Sequence, residues 1–204
     1  QKATGLFFGP MRVSVMMDAN GCNTTAAAAV LAAEKHVALD GVEALVLGGT
    51  GPVGQRTAQI LAMRGARVRL ASRSLDRAGQ ACEKISAAVT GASLTPAEFA
   101  SAADWEPAAN GIALLFAAGA AGVQLASQEQ RSSIDSLQVA VDLNAVPPAG
   151  LEGIEVTDKA AERDGMICYG AIGVGGLKMK IHKAALRKLF DDNTHVLDTE
   201  AVYR

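Results

Sequence analysis

Aromatic residues are scarce in this 204-residue sequence, which contains 5 Phe, 2 Tyr and 1 Trp. Apolar residues nevertheless make up 50% of the chain, and Ala, Val, Leu and Ile dominate among them. This composition favours close packing of helices on a sheet over a sandwich of two sheets. The length fits one α/β domain with some additional structure, and it is short for two full-sized domains.

A strong excess of either charge is also missing, since 19 Lys and Arg stand against 21 Asp and Glu. The basic residues are spread along the chain, so the sequence lacks the basic patch that nucleic-acid or anionic-membrane binding requires. The longest uncharged stretch, Gly111–Gln128, is interrupted by glycines and does not read as a bilayer span. We therefore expect neither nucleic acid nor a membrane as a partner.

Cysteine and histidine are too sparse and too scattered to indicate a metal site. Cys22, Cys82 and Cys168 are far apart in sequence, without a C-x-x-C pair, and the three histidines have no ligand spacing. We expect no metal, and buried thiols in a reducing cytosol. The first residues carry no secretory signal, so a cytoplasmic location is expected.

What is present is an alternation of strand-like and helix-like segments. The apolar run Ala44–Leu47 predicts a central parallel strand, Pro52–Arg64 an amphipathic helix and Val68–Ala71 the next strand. We therefore predict an α/β fold, a Rossmann-type doubly wound parallel sheet, preceded by a bridging helix and closed by a C-terminal helix. The further predicted elements are a strand over Met11–Met17, the bridging helix over Ala26–Val37 capped by Asn23 or Thr24, a helix over Leu75–Val89, strands over Ile112–Phe116, Val139–Leu143 and Met166–Tyr169, a glycine-rich loop over 170–176 and a helix over Leu177–Phe190.

A glycine fingerprint follows the first central strand. In the segment Gly49-Thr50-Gly51-Pro52-Val53-Gly54, the G-x-G-x-x-G pattern lies between an apolar strand and an amphipathic helix. In that context Gly49 is expected to permit the tight turn, Gly51 the close approach of a pyrophosphate, and Gly54 helix–strand contact. We predict a dinucleotide site here, against the alternative that the glycines only form a structural turn.

The end of the second strand bears on the choice of cofactor. NAD enzymes commonly place a carboxylate there on the ribose 2′-hydroxyl, whereas this chain has Ser72-Arg73-Ser74. A guanidinium can pair with a 2′-phosphate and hydroxyls can donate to it, so NADP is predicted unless Arg73 is only a solvated loop residue. Ala118, Gly119 and Asn144, which follow later strands, are further predicted cofactor contacts, because ligands bind at strand carboxyl ends in such sheets.

Five blocks of the sequence are distinctive: residues 7–14 (FFGPMRVS), 18–26 (DANGCNTTA), 49–54 (GTGPVG), 142–148 (DLNAVPP) and 170–178 (GAIGVGGLK). Together they resemble the methylene-tetrahydromethanopterin dehydrogenases, and within them the NADP-dependent branch. The resemblance runs from about Leu6 to Tyr203.

The resemblance implies a reaction in one-carbon metabolism, of the kind used to oxidise formaldehyde units. A hydride would pass from the methylene carbon between two pterin nitrogens to NADP and leave a methenyl cation. The nitrogen lone pairs delocalise that charge, so no general base is needed, and positioning supplies much of the acceleration. This agrees with the lack of an evident catalytic triad in the sequence.

The resemblance also suggests residues that line the reaction cleft. Asp18, Asn20 and Lys178 are the predicted catalytic residues, and Asn23, Thr24 and Asn144 are further lining candidates. Asn20 and Asn23 could equally cap the backbone of a turn. By default, Lys178 belongs to a solvated helix face with Lys180, Lys183, Arg187 and Lys188.

Family members carry a further amino-terminal α/β segment that helps to form the pterin site, and we expect that segment to be absent from these 204 residues. The predicted division is therefore 1–40 as a remnant of the substrate side with the bridging helix, 41–170 as the NADP-binding domain and 171–204 as the glycine-rich loop and C-terminal helix. A small-molecule pterin substrate and a homo-oligomer are expected. The alternatives are a methylene-tetrahydrofolate dehydrogenase, a shikimate-dehydrogenase-like reductase, or a non-catalytic NADP-sensing module.

Overall fold

The computed structural model describes residues 4–204, so the first three residues of the segment 1–40 lie outside it. The strands are β1 (Val15–Met16), β2 (Glu43–Leu47), β3 (Arg67–Ser72), β4 (Ser93–Glu98), β5 (Leu114–Ala117), β6 (Val139–Asp142), β7 (Lys159–Arg163), β8 (Met166–Tyr169) and β9 (Val196–Leu197). The α-helices are α1 (Cys22–Glu34), α2 (Pro52–Met63), α3 (Leu75–Ser86), α4 (Trp105–Ala109), α5 (Gln128–Ser132), α6 (Ala171–Lys188) and α7 (Thr199–Tyr203). Short 3-10 turns lie at Thr4–Leu6, Ala19–Gly21 and Ala102–Asp104.

Seven of the strands form one sheet in the order β4-β3-β2-β5-β6-β8-β7. All neighbouring pairs in it are parallel except β7 with β8. The strand order reverses between β2 and β5, which makes this point the topological switch of a doubly wound sheet. The predicted Rossmann-type α/β fold is confirmed.

The central strands are buried on both faces, as their continuous apolar sequence predicts. In β2, Ala44 and Val46 belong to one hydrophobic core, whereas Leu45 and Leu47 belong to a second core on the opposite face. All four side chains are fully buried. The first core also takes residues from α1, α6 and α7, so the predicted segments 1–40 and 171–204 pack on the sheet of 41–170.

The bridging helix α1 is almost entirely buried because its many alanines let neighbouring helices approach closely. It begins at Cys22, earlier than predicted, and neither Asn23 nor Thr24 caps it. Both lie inside the helix, and their N–H groups donate to Oδ1 of Asp18 at 2.8 and 3.1 Å. A carboxylate four residues upstream thus satisfies the free donors of the first turn.

Strand predictions fail at the margins of the fold. The predicted strand over Met11–Met17 shrinks to the two residues of β1, which pairs in parallel with β9. The edge strands β4 and β7 have no counterpart in the prediction. Strand β4 contains Pro96 and is largely exposed, and both features are tolerated at an edge while weakening the sequence signal.

The glycine-rich segment 170–176 is not a loop, and the prediction there is wrong. Helix α6 begins at Ala171, six residues before the predicted start at Leu177. A Cβ on Gly170 would lie 2.0 Å from the carbonyl oxygen of Glu155, and one on Gly173 only 1.6 Å from that of Asp158. These glycines are therefore needed where the helix packs on the preceding backbone, a role that outweighs their poor helix propensity.

The three cysteine thiols are free and buried, as predicted. Burial raises the pKa of Cys168 to about 11. Among residues 4–204, no helix is long and apolar enough to cross a membrane.

Candidate cofactor cleft and a neighbouring polar site

A cleft of about 380 Å³ opens at the switch point of the sheet, beyond the carboxyl ends of β2, β3 and β5. The position is the one at which open α/β sheets bind ligands. The lining residues come from the loops that follow these strands and from the starts of α2 and α3: Gly48, Thr50, Gly51, Pro52, Ala71, Ser72, Arg73, Ser74, Arg77, Phe99, Ala118, Gly119, Ala120, Val123 and Leu125.

The tight turn of the glycine loop lies at Gly48 rather than Gly49, which corrects the expected assignment. Gly48 has a φ of +69°, a conformation that side chains rarely adopt. A Cβ on Gly48 would also lie 2.7 Å from Cα and N of Gly119. The loops that follow β2 and β5 therefore touch backbone to backbone at the floor of the cleft.

The three glycines of the fingerprint meet different surroundings. A Cβ on Gly49 would lie 2.5 Å from Cγ of Leu70, and one on Gly54 2.5 Å from the carbonyl oxygen of Gly48, so the fold itself excludes larger residues at both positions. A Cβ on Gly51 would meet nothing closer than the carbonyl oxygen of Gly48 at 3.4 Å, and its φ of −73° suits any residue. Packing within the protein therefore does not require glycine at position 51, and Gly51 lines the open cleft.

The start of α2 provides donors for an anion beside Gly51. Gly51 is the N-cap and Pro52 the first helical residue, so the free N–H groups of the first turn begin at Val53. The Nε2 of Gln55 donates to the carbonyl oxygen of Thr50 at 2.7 Å and holds the loop against the helix. These residues fit the pyrophosphate of a dinucleotide, which binds at helix N-termini through such groups.

The far end of the cleft is basic. Arg73 follows β3, and Arg77 on the first turn of α3 lines the same cleft. Ser74 caps α3 by accepting the N–H of Arg77 at 3.4 Å, and Oγ of Ser72 lies 3.4 Å from Oγ1 of Thr50. No Asp or Glu lines the cleft within residues 4–204. The sequence prediction included Arg73 but missed Arg77, although Arg77 follows Arg73 by one helical turn.

An apolar wall completes this end of the cleft. Phe99, after β4, lies near Val123 and Leu125 from the loop that follows β5. The ring of Phe99 rests edge-on against buried Trp105, with 6.2 Å between centroids. Such a wall can accept the flat face of a nucleobase. No sequence pattern indicated it, since it joins residues from two loops.

Asn144 lies outside this cleft, in the loop after β6. Its Oδ1 accepts the N–H of Val146 at 3.1 Å and its Nδ2 donates to the carbonyl oxygen of Pro148 at 3.2 Å, so the side chain organises its own loop. Asp142 holds the same loop by accepting the N–H groups of Asn144 and Leu151. Burial raises the pKa of Asp142. The cofactor contact of Asn144 stays a prediction, whereas the predicted contacts Ala118 and Gly119 do line the cleft.

The predicted catalytic residues gather around the 3-10 turn Ala19–Gly21. The position that a Cβ on Gly21 would take is 2.7 Å from Nζ of Lys178, so this amine lies directly against the turn. Asp18 begins the turn with a side chain only 6% exposed, and its Oδ2 accepts the hydroxyl of Thr24 at 2.8 Å. Asn20 is exposed with a φ of +54°. None of the three predicted residues lines the cofactor cleft.

His182 joins this polar site, and sequence reasoning missed it. Its Nδ1 lies 3.6 Å from Oδ2 of Asp18, one helical turn beyond Lys178 on α6. The spacing of four residues from Lys178 was the available signal. Asn23 is engaged structurally, since its Oδ1 accepts the hydroxyl of Thr199 at 2.9 Å and its Nδ2 donates to the carbonyl oxygen of Met17.

Lys178 differs from the other cations of α6. Its side chain is half-buried against the turn, whereas Lys180, Lys183, Arg187 and Lys188 are exposed, as a solvated face predicts. Helices α1 and α6 run antiparallel here. Gly21, at the start of α1, lies against Lys178, while His36, past the end of α1, contacts the hydroxyl of Tyr169 just before α6 begins.

Two relatives from Methylorubrum extorquens resemble the chain over almost its full length. The "Bifunctional protein MdtA" is 44% identical over 200 residues, which cover 97% of this chain and 69% of that protein. The "NAD(P)-dependent methylenetetrahydromethanopterin dehydrogenase" is 30% identical over 209 residues, covering 93% of this chain and 67% of that protein. The chain belongs to the family of these two proteins. No family model matches the sequence.

Solved structures confirm the architecture. A transhydrogenase from Sinorhizobium meliloti aligns with a TM-score of 0.59 at 18% identity, over 87% of this chain and 58% of that one. A quinate dehydrogenase from Corynebacterium glutamicum in complex with NAD aligns with a TM-score of 0.54 at 18% identity, over 89% and 60%. The chain thus spans somewhat over half of these structures. With the family relationship, it is a Rossmann protein of the oxidoreductase type.

Proposed function

We propose that this chain acts as an NADP-dependent dehydrogenase that takes a hydride from methylene-tetrahydromethanopterin. The observation that carries the proposal is the cleft itself, which combines an open glycine at Gly51, a helix N-terminus and two arginines without a carboxylate. The family relationship supports the substrate, because one relative is named for this reaction.

When bound, NADP would supply the redox chemistry by accepting the hydride, a hydrogen with both electrons of its C–H bond, from the methylene carbon. The chain's own residues would bind the cofactor and orient it. The start of α2 would hold the pyrophosphate beside Gly51, and Arg73 would pair with the 2′-phosphate. No residue has to accept a proton, which agrees with the absence of a carboxylate or histidine from the lining of the cleft within residues 4–204.

The pterin side of the proposal rests on the polar site around Asp18, Asn20 and Lys178. The amine of Lys178 lies against a turn whose following backbone N–H groups are held by Asp18. An ammonium group there can pair with an anionic part of a pterin substrate, while Asn20 offers an exposed amide.

Methylene-tetrahydrofolate is the second candidate substrate. The relative with 44% identity is named only as a bifunctional protein, so its name does not choose between the two substrates. A spectrophotometric assay of NADPH formation, run with each methylene-pterin, distinguishes the two. Tight NADP binding without NADPH formation from either pterin would refute the enzyme proposal and favour a sensing module.

The choice of NADP is tested by the variant Arg73→Ala. Loss of a charged hydrogen-bonding pair costs about 1.5–3 kcal/mol, so NADP affinity should fall roughly ten- to a hundredfold while NAD affinity changes little. Arg67→Ala is the matched control, because Arg67 lies at the opposite end of the same strand β3 and pairs with Glu43. Unchanged NADP affinity of Arg73→Ala in calorimetry would contradict the assignment.

A further inference from the structure

Asp142 is a buried carboxylate that the proposed reaction does not use. It is the last residue of β6, it is only 2% exposed, and it lies outside the lining of the cofactor cleft. Burying a charged group is costly unless hydrogen bonds replace its lost hydration. The groups that bond to Asp142 therefore indicate what the residue does in the fold.

The carboxylate closes the loop that follows its strand, residues 143–150, which we call the β6 loop. Its Oδ1 accepts the N–H of Asn144 at 2.9 Å, and its Oδ2 accepts the N–H of Leu151 at 2.9 Å. A Cβ on Gly150 would lie 2.8 Å from Oδ1, so the end of the loop is packed directly on the carboxylate. Asp142 thus holds the beginning and the end of the β6 loop.

The same anchor reaches the apolar wall of the cofactor cleft. The carbonyl oxygen of Gly150 accepts the N–H of Leu125 at 2.7 Å and the N–H of Ala126 at 3.1 Å. Ala126 and Leu151 also form a parallel β-bridge. Because Leu125 lines the cleft, hydrogen bonds connect the wall with Asp142 through the chain at Gly150 and Leu151.

The β6 loop also lies on the second side of the switch point. Asp142 pairs in register with Ala117, the last residue of β5, and the loop after β5 lines the cleft through Gly119. The two loops are close, since a Cβ on Gly122 would lie 3.5 Å from the carbonyl oxygen of Pro147. A dinucleotide at a switch point extends over both sides of the strand order. One of its halves would therefore lie over β5 and β6, beside both loops.

We infer that Asp142 is a positioning residue of the cofactor cleft, because it joins the wall at Leu125 to the β6 loop and sets their spacing around a bound dinucleotide. This inference rests on the proposed function, since it presumes NADP in the cleft. Asparagine at this position keeps one acceptor oxygen, but it turns an amide NH₂ toward the second N–H group. Two donors cannot pair, so Asp142→Asn releases one end of the β6 loop.

Asp164 provides the matched control for a general loss of stability. It is also a carboxylate that holds a buried group, since it pairs with fully buried Arg131 at 2.9 Å. It lies in the turn before β8, which runs parallel to β6, so this turn is at the edge of the sheet opposite the cleft. Asp164→Asn should therefore destabilise the protein and leave the loops of the cleft in place.

The experiment compares Asp142→Asn, Gly150→Ala and Asp164→Asn with the parent chain, each at a temperature where melting curves show it folded. Gly150→Ala disturbs the same joint from the opposite side, because its Cβ would press on the carboxylate. Calorimetry measures NADP⁺ affinity, and competition by inorganic pyrophosphate reports the surface beside Gly51. Energy transfer from Trp105, the single tryptophan, to saturating NADPH reports the position of the nicotinamide ring.

Both variants of the joint should bind NADP⁺ at least about tenfold more weakly, because binding must order the released loop again. The energy transfer to bound NADPH should change as well. Competition by pyrophosphate should change less than about threefold, since Asp142 does not touch the glycine loop. Asp164→Asn should match the parent chain in all three measurements despite its lower stability.

The other outcomes overturn separate statements. NADP⁺ affinity in the joint variants equal to that of Asp164→Asn would overturn the inference, and so would an equal loss of pyrophosphate competition or unchanged energy transfer. If Asp142→Asn does not fold, Gly150→Ala decides by the same criteria. A parent chain that binds no NADP⁺ would instead overturn the proposed function. Because no pterin is present, failure of the proposed turnover is read separately.

Discussion

Replacing Gly51 by Ala should separate cofactor binding from folding more sharply than the same change at Gly49 or Gly54. The added Cβ meets the carbonyl oxygens of Gly48 and Ala118 at 3.4 and 3.7 Å, which are ordinary contacts. Its face toward the cleft, however, is where the pyrophosphate must approach the backbone. Gly54→Ala is the matched control, because its Cβ would lie 2.5 Å from the carbonyl oxygen of Gly48, inside the protein.

The stability of the two variants should also differ. Gly51→Ala should keep the stability of the parent although it binds the cofactor poorly, whereas Gly54→Ala should be less stable. At the N-cap, alanine is a poorer residue than glycine by up to about 1 kcal/mol. The reduced freedom of the unfolded chain returns about 0.4–1 kcal/mol, so Gly51→Ala should remain within about 1 kcal/mol of the parent. Gly54→Ala gains about 1 kcal/mol in helix propensity, but overpacking against backbone costs about 1–3 kcal/mol or more. A net loss is expected only for Gly54→Ala.

Thermal melting and a fluorescence titration with NADP⁺ measure both effects on the same samples. For a chain of this length, each 1 kcal/mol shifts Tm by roughly 2–4 °C, so Gly51→Ala should melt close to the parent. The NADP⁺ affinity of Gly51→Ala should fall at least about tenfold, which corresponds to a loss of about 1.4 kcal/mol of binding free energy where the pyrophosphate approaches the backbone. Normal affinity in Gly51→Ala would show that this glycine is structural and would refute the site.

Two further predictions concern buried charges. Asp164→Asn should destabilise the protein by about 1–3 kcal/mol in urea denaturation, because Nη2 of fully buried Arg131 donates to Asp164 at 2.9 Å and would lose its charged partner. Arg131→Met should cost less, since the remaining Asp164 is 32% exposed and can be hydrated. A larger loss of stability in Arg131→Met than in Asp164→Asn would contradict this account. For Asp158, burial opposes ionisation, but hydrogen bonds from Arg163 and from the N–H of Glu155 outweigh it and lower the pKa. The stability that Asp158 contributes is therefore complete above its ordinary pKa of 3.8 and is lost as the pH falls through the lower folded value. Denaturation at pH 7 and pH 3 should show a smaller loss of stability on acidification for Asp158→Asn than for the parent, and equal losses would refute the assignment.

The sequence predicts the centre of this fold well because the signals there are local. Ala44–Leu47 is an uninterrupted apolar run, and the glycine pattern follows it directly, so strand, turn and helix could be placed in order. Strands β4 and β7 lie at the sheet edges, where half-exposed residues carry little periodicity. Their pairing depends on neighbours that are distant in sequence, which no local pattern reveals.

The start of α6 shows why composition can mislead. Gly170, Gly173, Gly175 and Gly176 indicate a loop by propensity, yet the chain is helical from Ala171. Glycine at position 173 is required because this helix passes close to the carbonyl oxygen of Asp158. Local sequence likewise predicts only part of the cofactor cleft and of the polar site around Asp18. Arg73 could be found from its position after a strand, and Arg77 and His182 each follow a predicted residue by four positions. The wall around Phe99, in contrast, is defined by contacts between separate loops.

The backbone contact between Gly48 and Gly119 has a mechanical consequence. Because even a single carbon atom does not fit between the two loops, the strand ends on either side of the switch point cannot approach further when a ligand enters. Any tightening around a bound molecule is therefore left to the lining segments that lie away from this contact, which are the residues that follow β3, Phe99, and the residues Val123 and Leu125 beyond Gly119. The floor of the cleft sets a fixed lower limit on its width, whatever the outer segments do.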